Sequence, residues 1–479
     1  MKMRKLLIAL TVLHLLAVAG LAGLKGTRPN IVFFLADDQS LFDHTTYGTA
    51  AAPTPVTDAF GEEGLVFEKA FTGQAICAPS RSMLYSGLYP IRNGCFINHT
   101  SIRPGIKTLP DYLKPLGYDV ILAGKSHVRP AEQFQWTQTF QPVQHEGLPR
   151  PSIPLEEMDA YMAKANGPFC MIVASEYPHG PYFEESPFAP EDVSLPPFRA
   201  DNEQNRNNAI RYYASIAEKE REFAAVLKLL EKHGFAEDSI VFYSDDHGAS
   251  RGKFTVYDSG LNVAFMVRWP GKIQPGRTAA LTSFADFVPT VMELAGGEAP
   301  KGLDGKSMLP VLQGHGKQHD YVYGVTHNQG IQNRHVFPQR SVHDGRYHYI
   351  YNSNSNERVD QNAGDNEVIS YFLKHGANKH PGQPVEQLYD TEKDPHEMTN
   401  RARDPELASV KARLKKELFR WMKSQNDYLT ENGPVRFLKV RMHDLDQQAP
   451  KFNYEIPEEL VDSLKGMKRD PHKLTAGNK

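Results

Sequence analysis

The chain lacks several features that would place it in a specialised class of protein. It has 3 cysteines in 479 residues, too few for a disulfide-stabilised scaffold. Its formal net charge is -3, so its overall charge gives no sign of binding to nucleic acid or to an anionic membrane. It has no repeat of fixed period and no low-complexity tract. Its composition, 40% hydrophobic and 23% charged, is that of a globular protein with ample material for a core.

Long apolar runs are also scarce, and the one present lies at the N-terminus. A basic segment, residues 1–5, precedes an apolar run over residues 6–24 that contains a small-residue sequence at 17–19. This order is typical of a signal peptide. We therefore predict a signal over residues 1–24 and an exported, periplasmic or secreted protein with no stable membrane partner. The alternative is a retained membrane anchor, because the run is almost long enough to span a bilayer.

The cysteines leave two questions open. Cys95 and Cys170 could pair in an oxidising compartment, or both could be separate buried thiols. Cys77 stands at the predicted start of a short helix, with Pro79 suited to its first turn and Arg81 one turn on. The positive end of a helix dipole can bind an anion or activate a nucleophile. A half-buried structural thiol is the alternative reading of Cys77.

Short apolar runs rich in β-branched and aromatic residues recur between residues 30 and 268 and alternate with helical patterns. This alternation predicts an α/β domain with a mostly parallel sheet. The predicted strands are Asn30–Ala36, Tyr118–Gly124, Phe169–Ser175, Ser239–Ser244 and Val263–Arg268.

Polar clusters follow four of these strands. They are Asp37-Asp38, Lys125-Ser126-His127, residues 176–179 ending in His179, and residues 245–248 with Asp246-His247. In parallel sheets ligands bind outside the carboxyl ends of the strands, so we expect the clusters to converge at one edge.

These side chains suit the binding of a metal ion and a dianion. Three carboxylates and one imidazole, at Asp37, Asp38, Asp246 and His247, favour calcium or magnesium over zinc. Arg81, Lys125 and Lys253 add the positive charge that a sulfate or phosphate group requires. His127 and His179 are the natural proton carriers.

The pattern changes after about residue 330. Residues 343–351 alternate like an exposed antiparallel strand with a turn before it, and Gln387–Asp390 is its predicted neighbour. Residues 405–423 form an amphipathic helix, and residues 352–383 are predicted to be a long loop. The predicted units are thus the signal at 1–24, a catalytic domain at 25–335 and a C-terminal subdomain with a polar tail at 336–479.

Several motifs stand in a fixed order between residues 28 and 425. They are Pro29–Asp38, Cys77–Arg81 followed by Ser86–Pro90, Gly124–His127, Pro178–Tyr182, Asp246–Gly248, Lys253–Gly260, Gly345–Tyr347 and Leu388–Glu397. This ordered set resembles that of the formylglycine-dependent sulfatases of the alkaline phosphatase superfamily. The resemblance implies an alkaline-phosphatase-like α/β/α sandwich with a large mixed, mostly parallel sheet, and a smaller C-terminal α+β subdomain with a short antiparallel sheet.

The resemblance also implies a modified nucleophile and a metal. A formylglycine-generating maturation enzyme would oxidise Cys77 to formylglycine (3-oxoalanine), whose hydrate attacks the sulfur of a sulfate ester. One calcium ion per subunit would be bound by this group together with Asp37, Asp38, Asp246 and His247. The family often has asparagine at position 247. Asp245 is an extra acid, and we assign the ligand role to Asp246 because it precedes His-Gly.

The other catalytic roles are implied in the same way. Arg81 and Lys125 would hold the diol, and Lys125 and Lys253 would bind sulfate oxygens. His179, with Lys253, would protonate the leaving alcohol. His127 would take the proton from the second hydroxyl, so that sulfate leaves and the aldehyde is restored.

The predicted export of the protein and its loops with histidine and arginine indicate the class of substrate. They fit a sulfated polysaccharide or its oligosaccharides, such as carrageenan or a glycosaminoglycan. The loop residues predicted to contact this glycan are Arg92, His99, His327, Arg334 and His335. The alternatives are a phosphonate monoester or phosphodiester hydrolase of the same superfamily, or an inactive carbohydrate-binding relative.

Overall fold

A computed structural model describes residues 23–48, 52–249, 252–328, 336–353, 384–427 and 429. Its strands are β1 Asn30–Ala36, β2 Leu65–Phe67, β3 Ala70–Phe71, β4 Asp119–Gly124, β5 Gln138–Phe140, β6 Phe169–Ala174, β7 Ser239–Asp245, β8 Phe265–Arg268, β9 Gly276–Thr278, β10 Thr282–Ser283, β11 Val322–Asn328, β12 Val336–His343, β13 Tyr347–Asn352 and β14 Glu386–Asp390.

The α-helices are α1 Pro55–Glu63, α2 Cys77–Ser86, α3 Pro90–Asn93, α4 Leu109–Leu113, α5 Leu155–Met162, α6 Glu203–Lys232, α7 Asp258–Leu261, α8 Phe287–Leu294, α9 Leu309–Leu312 and α10 Ala408–Ser424. Short 3-10 helices lie at Leu41–Asp43, Thr45–Tyr47, Lys114–Leu116, Ala131–Gln133, Pro190–Asp192, Phe284–Asp286 and Pro405–Leu407. No helix in these ranges is both long enough and apolar enough to cross a bilayer.

The large sheet has eight strands in the order β5-β4-β6-β1-β7-β8-β2-β9. Strand β1 pairs in parallel with β6 and β7, and β4 pairs in parallel with β6, whereas β8 runs antiparallel to β7. The five strands predicted from the apolar runs are all present, and the prediction of a mixed, mostly parallel sheet is confirmed.

Both faces of this sheet are covered, which explains the unbroken apolar character of its central strands. Alternate residues of β1 enter two different cores: Phe33 packs with α2 and α8, and Phe34 packs with α1, α5 and α6. The result is an α/β/α sandwich. Cys77, Cys95 and Cys170 are all free buried thiols, so Cys95 and Cys170 do not pair.

The C-terminal sheet has the antiparallel order β11-β12-β13-β14. Its strand β13 is largely buried, so the prediction of an exposed strand over residues 343–351 was wrong. Helix α10 packs on one face of the sheet through Trp421, whose ring stacks on Tyr323 at 4.3 Å between centroids. The other face, through Ile350, packs on residues of the predicted catalytic domain, among them Phe71 and Val256. The predicted loop at 352–383 lies almost wholly outside the described residues.

A buried ion cluster joins this sheet to the catalytic domain. His348 Nδ1 lies 2.5 Å from Glu397 Oε1 and 3.2 Å from Asp258 Oδ1, and all three side chains are buried. Burial lowers the pKa of His348, but the carboxylates of Glu397 and Asp258 outweigh that effect and raise it. The raised pKa favours the protonated imidazole, which compensates for the neighbouring carboxylates.

Replacing His348 by alanine is expected to lower the free energy of unfolding by about 3–5 kcal/mol, because the buried carboxylates lose their counter-charge. His315 is exposed and serves as the control, and His315→Ala should change stability by less than about 0.5 kcal/mol. Equilibrium denaturation with urea measures both. Equal stability of the two variants would show that the ion cluster contributes nothing.

Candidate active site

The carboxyl ends of β1, β4, β6 and β7 meet at one edge of the large sheet, where the four polar clusters converge. Main-chain hydrogen bonds fix this meeting point. The N–H of Asp37 donates to Tyr177 O at 3.0 Å, and that of Asp246 donates to Ala36 O at 2.9 Å. The N–H of Lys125 donates to the last carbonyl of β6 at 2.9 Å. The predicted convergence is therefore what the backbone shows.

Four potential ligand atoms meet at the centre of this edge. Asp37, Asp38, Cys77 and His247 each offer one atom, and these atoms all lie within 4.8 Å of one another. His247 Nε2 lies 3.2 Å from Asp38 Oδ1 and 3.3 Å from Cys77 Sγ. Its other ring nitrogen lies 3.0 Å from Gly248 O and can donate to it, which leaves Nε2 facing the centre.

Asp246 lies beside these four atoms and holds neighbouring groups. Its Oδ1 accepts from the N–H of Asp38 at 3.2 Å, and its Oδ2 accepts from Arg81 Nε at 3.0 Å. The same Oδ1 lies 3.6 Å from His247 Nε2. Asp245 is directed elsewhere, with its carboxylate 2.8 Å from His44 Nε2. Of the two adjacent acids, Asp246 is thus the one at the centre.

The donor set fits a hard cation. Asp38 Oδ1 is buried and accepts no hydrogen bond within the described part of the chain. Burial lowers the pKa of His247, but the charges of Asp246, Cys77 and Asp38 outweigh it and raise the pKa to about 10. The imidazolium thus supplies positive charge that the buried acids require, and a bound cation would take over that role. Carboxylate oxygens are the ligands that calcium prefers.

Helix α2 presents Cys77 to this centre as its first residue. The N–H of Ala78 donates to Asn98 Oδ1 at 3.1 Å, and the hydroxyl of Ser80 donates to Asp246 O at 2.5 Å. Gly87 ends the helix with φ 70°. Cys77 Sγ lies 3.7 Å from Asp37 Oδ1. The side chain is therefore fixed at the positive end of a helix, facing the acids.

Three cations surround the same centre. Arg81 is fully buried, and its Nη1 donates to Lys125 O at 3.2 Å. Lys125 pairs with Asp37, and Lys253 donates to Asp38 Oδ2 at 2.5 Å. Burial raises the pKa of Asp37, but Lys125, His179 and Arg81 outweigh it and hold the pKa well below its usual range. Asp37 is therefore ionised at neutral pH, and three cationic side chains lie beside it.

The two candidate proton carriers lie in different surroundings. His179 Nε2 is 3.4 Å from Lys253 Nζ and 3.5 Å from Asp38 Oδ2, and 29% of its side chain is exposed, so it stands at the mouth of the site. His127 Nε2 lies 2.7 Å from His99 Nδ1. Burial lowers the pKa of His127 well below its usual value, and Lys125 lowers it further, so the ring is neutral and able to accept a proton.

Of the five predicted glycan-contacting residues, the structure describes the side chains of two, His99 and Arg92. His99 contacts His127, as above. The guanidinium of Arg92 donates to Asp304 Oδ1 at 2.6 Å. His327 belongs to strand β11, and its side chain lies outside the described part of the chain, as do Arg334 and His335 entirely.

Some residues that shape the site were not predicted. Asn98 and Ser80 fix the start of α2, and the hydroxyl of Tyr212 donates to Asp38 O at 3.2 Å. Ser80 stands inside the motif that carries Cys77, which was the one available signal. Asn98 and Tyr212 come from segments with no pattern that separates them from surface residues.

The sequence and the fold of this chain are similar to those of known proteins. The family model described as sulfatase matches residues 29–297, and the model described as N-sulphoglucosamine sulphohydrolase, C-terminal, matches residues 246–380. The chain is 45% identical over 447 residues to an ulvan-active sulfatase of Formosa agariphila, which covers 91% of this chain and 89% of that protein.

Two solved structures share the fold. A 2-O GAG sulfatase superposes with a TM-score of 0.67 at 22% identity, covering 84% of this chain and 93% of its own. The phosphonate monoester hydrolase of Agrobacterium radiobacter superposes with a TM-score of 0.66 at 20% identity, covering 85% of this chain and 99% of its own. At these identities the two structures carry information on the fold alone, and they confirm the predicted alkaline-phosphatase-like architecture.

Proposed function

Because the chain belongs to the sulfatase family and is a sulfuric ester hydrolase, we propose that it removes sulfate esters from a sulfated carbohydrate, either a polysaccharide or an oligosaccharide derived from it. The observation that carries this proposal is the likeness to the ulvan-active sulfatase along nearly the whole chain, together with the buried cluster of three cations beside four ligand atoms. Lys125, Lys253 and Arg81 supply the charge that a sulfate group requires.

The proposed nucleophile is formylglycine made from Cys77 by a maturation enzyme. Its hydrate supplies two hydroxyls on one carbon, one to attack sulfur and one whose deprotonation releases sulfate. The surroundings of Cys77 suit this role, because Arg81 and Lys125 lie next to it and stabilise negative charge on an oxygen there. Asn98 and Ser80 hold the helix start in position.

Calcium is the proposed metal, with Asp37, Asp38, Asp246 and His247 as its protein ligands. When bound, it supplies Lewis-acid stabilisation of the charge on the nucleophile and on the sulfate oxygens. Of the ligands, Asp246 also positions Arg81 and the Asp38 backbone.

Two histidines would move the protons. His179, with Lys253, would protonate the leaving alcohol, since it stands at the mouth of the site beside that lysine. His127 would accept the proton that restores the free nucleophile, and its hydrogen bond with His99 fixes the orientation of its ring. The proposed glycan contacts are Arg92, His99, His327, Arg334 and His335.

A substrate panel tests the proposal. The matured protein should release sulfate from at least one sulfated polysaccharide or defined oligosaccharide, with a rate well above that on an aryl phosphodiester or a phosphonate monoester. Preference for the phosphodiester or phosphonate would favour hydrolysis of those esters instead. Binding of the glycan without any turnover by fully matured protein would indicate an inactive carbohydrate-binding relative.

Metal binding gives a separate prediction. Asp38→Asn is expected to weaken calcium binding by about 100-fold or more, because the site loses a charged ligand. Asp238, an exposed acid that precedes β7 at the far end of the sheet, provides the matched control Asp238→Asn. Isothermal titration calorimetry of chelator-treated protein should give about one site per chain for the unmodified and control proteins. Equal calcium affinity in all three would remove Asp38 from the ligand set.

Export is also proposed. The basic and apolar segment at residues 1–24 carries this proposal. N-terminal sequencing of the protein from its host should find a mature chain that starts close to residue 20–25. An intact N-terminus in the membrane fraction would indicate an anchor instead.

A further inference from the structure

A cavity of about 410 Å³ has in its wall residues that adjoin the ligand cluster in the chain. Ser40 on its wall lies two residues after Asp38, and Ala249 lies two residues after His247. Tyr212, also on the wall, is hydrogen-bonded to the carbonyl of Asp38. The wall of the cavity and the ligand cluster therefore share neighbouring stretches of the chain around Asp38 and His247.

The wall of the cavity carries flat rings. Phe42 and His396 lie with ring centroids 4.4 Å apart, and Phe198 lies 6.0 Å from the same histidine. Tyr182 is also part of the wall, and 37% of it is exposed. Aromatic rings pack on the apolar faces of ligands, and the Tyr182 hydroxyl adds a polar group to the wall. The volume and lining suit one sugar ring better than an extended apolar ligand.

One strong cation lines this cavity without a partner. Arg199 is the single arginine or lysine among the described wall residues, and its guanidinium makes no ion pair or hydrogen bond within the described part of the chain. The acid on the wall, Asp43, is already engaged, because its Oδ2 accepts from Tyr212 at 2.8 Å and from the N–H of Ser40 at 3.2 Å. The cavity thus offers a positive charge to its occupant.

Tyr182 connects this cation to the ligand cluster. Asp38, Lys253 and Arg199 all lie within electrostatic reach of the Tyr182 hydroxyl. Charges from the cluster and from the cavity are therefore both close to this one side chain.

We propose that this cavity binds the sugar next to the sulfated one, and that Arg199 recognises an acidic group on that neighbouring sugar, either a carboxylate or a second sulfate. The guanidinium suits both, since its planar N–H groups pair with carboxylate and sulfate oxygens alike. The inference rests on the proposed sulfatase function and deepens it: the preferred substrate has an acidic neighbour beside the ester that is cleaved.

The test uses two pairs of sulfated oligosaccharides and the matured enzyme. The first pair differs in whether the neighbouring sugar carries a carboxylate or its reduced alcohol. The second pair differs in whether that sugar carries a sulfate. Arg199→Gln should lower the ratio of kcat/KM for the acidic member to that for its neutral partner by about 10- to 100-fold, chiefly through KM. Arg199→Lys should restore part of the ratio.

Arg211 provides the matched control, because it is an exposed arginine on α6 beside Tyr212 that does not line the cavity. Arg211→Gln should leave both ratios as in the unmodified protein, and melting temperatures should confirm that all variants fold. A lowered ratio in the first pair identifies a carboxylate, and in the second pair a sulfate. Unchanged ratios in both pairs overturn the subsite. Absence of sulfate release from all four compounds by the unmodified enzyme overturns the proposed function as well.

Discussion

Cys77→Ser is expected to lower kcat for sulfate release by at least about 10³-fold, even in protein produced with a maturation enzyme. A serine hydroxyl at the start of α2 could attack sulfur once, with the same help from Arg81 and Lys125. It has no second hydroxyl on the same carbon whose deprotonation would expel sulfate, so the cycle stops at the serine sulfate ester, after the alcohol has left and before sulfate is released. Stopped-flow and steady-state assays of sulfate release measure this effect.

Cys95→Ser supplies the matched control. Cys95 is also a buried thiol, but its Sγ lies 3.3 Å from Thr100 O and it has no contact with the acids, so a serine can use the same polar surroundings. This variant should retain turnover within about threefold of the unmodified enzyme. Full steady-state activity in Cys77→Ser would exclude Cys77 as the origin of the nucleophile.

His179→Ala is expected to have the second largest effect, and the size of the effect should depend on the leaving group. A sugar alcohol is a poor leaving group that requires a proton, so kcat/KM for a sugar sulfate should fall about 10²- to 10⁴-fold. An aryl sulfate with an acidic phenol departs without that proton, and its kcat/KM should fall by less than about tenfold. The logarithm of kcat/KM plotted against leaving-group pKa measures the difference as a steeper slope in the variant.

The control for this prediction is His145→Ala, since His145 is exposed and distant in sequence from every residue of the cluster. Its slope should equal that of the unmodified protein. If His179→Ala lowers kcat/KM for aryl and sugar sulfates to the same extent, His179 acts in binding or folding and does not protonate the alcohol.

The central sheet and the ligand cluster could be predicted because each depends on a local pattern. Buried parallel strands such as β1 and β7 are unbroken apolar runs, and the polar residues that follow them must meet at one edge. Asp37 and Asp246 stand next to each other for that reason alone. The order of the motifs along the chain then identified Cys77 as part of the site, although this residue belongs to a helix outside the sheet.

The features that were missed depend on packing between distant segments. Strand β13 has the alternation of an exposed strand, but α10 covers one of its faces and the catalytic domain covers the other. The contact between His99 and His127 joins two loops. The two residues adopt positive φ values of 62° and 50°, and no pattern in the sequence predicts these values. Arg199 lies in an irregular loop, and its proposed role can be recognised only from the cavity that it lines.

The most direct test of formylglycine as the nucleophile compares the extent of Cys77 conversion with the rate of turnover. Preparations with different fractions of converted chain would be made by varying the amount of the maturation enzyme, and the fraction would be read from the mass of the Cys77 peptide, which falls by about 18 Da on conversion. If formylglycine at position 77 is the nucleophile, sulfate release per chain should rise in proportion to that fraction and extrapolate to zero for unconverted protein. Release that is independent of the fraction, or full release from protein that contains only the thiol, would contradict it.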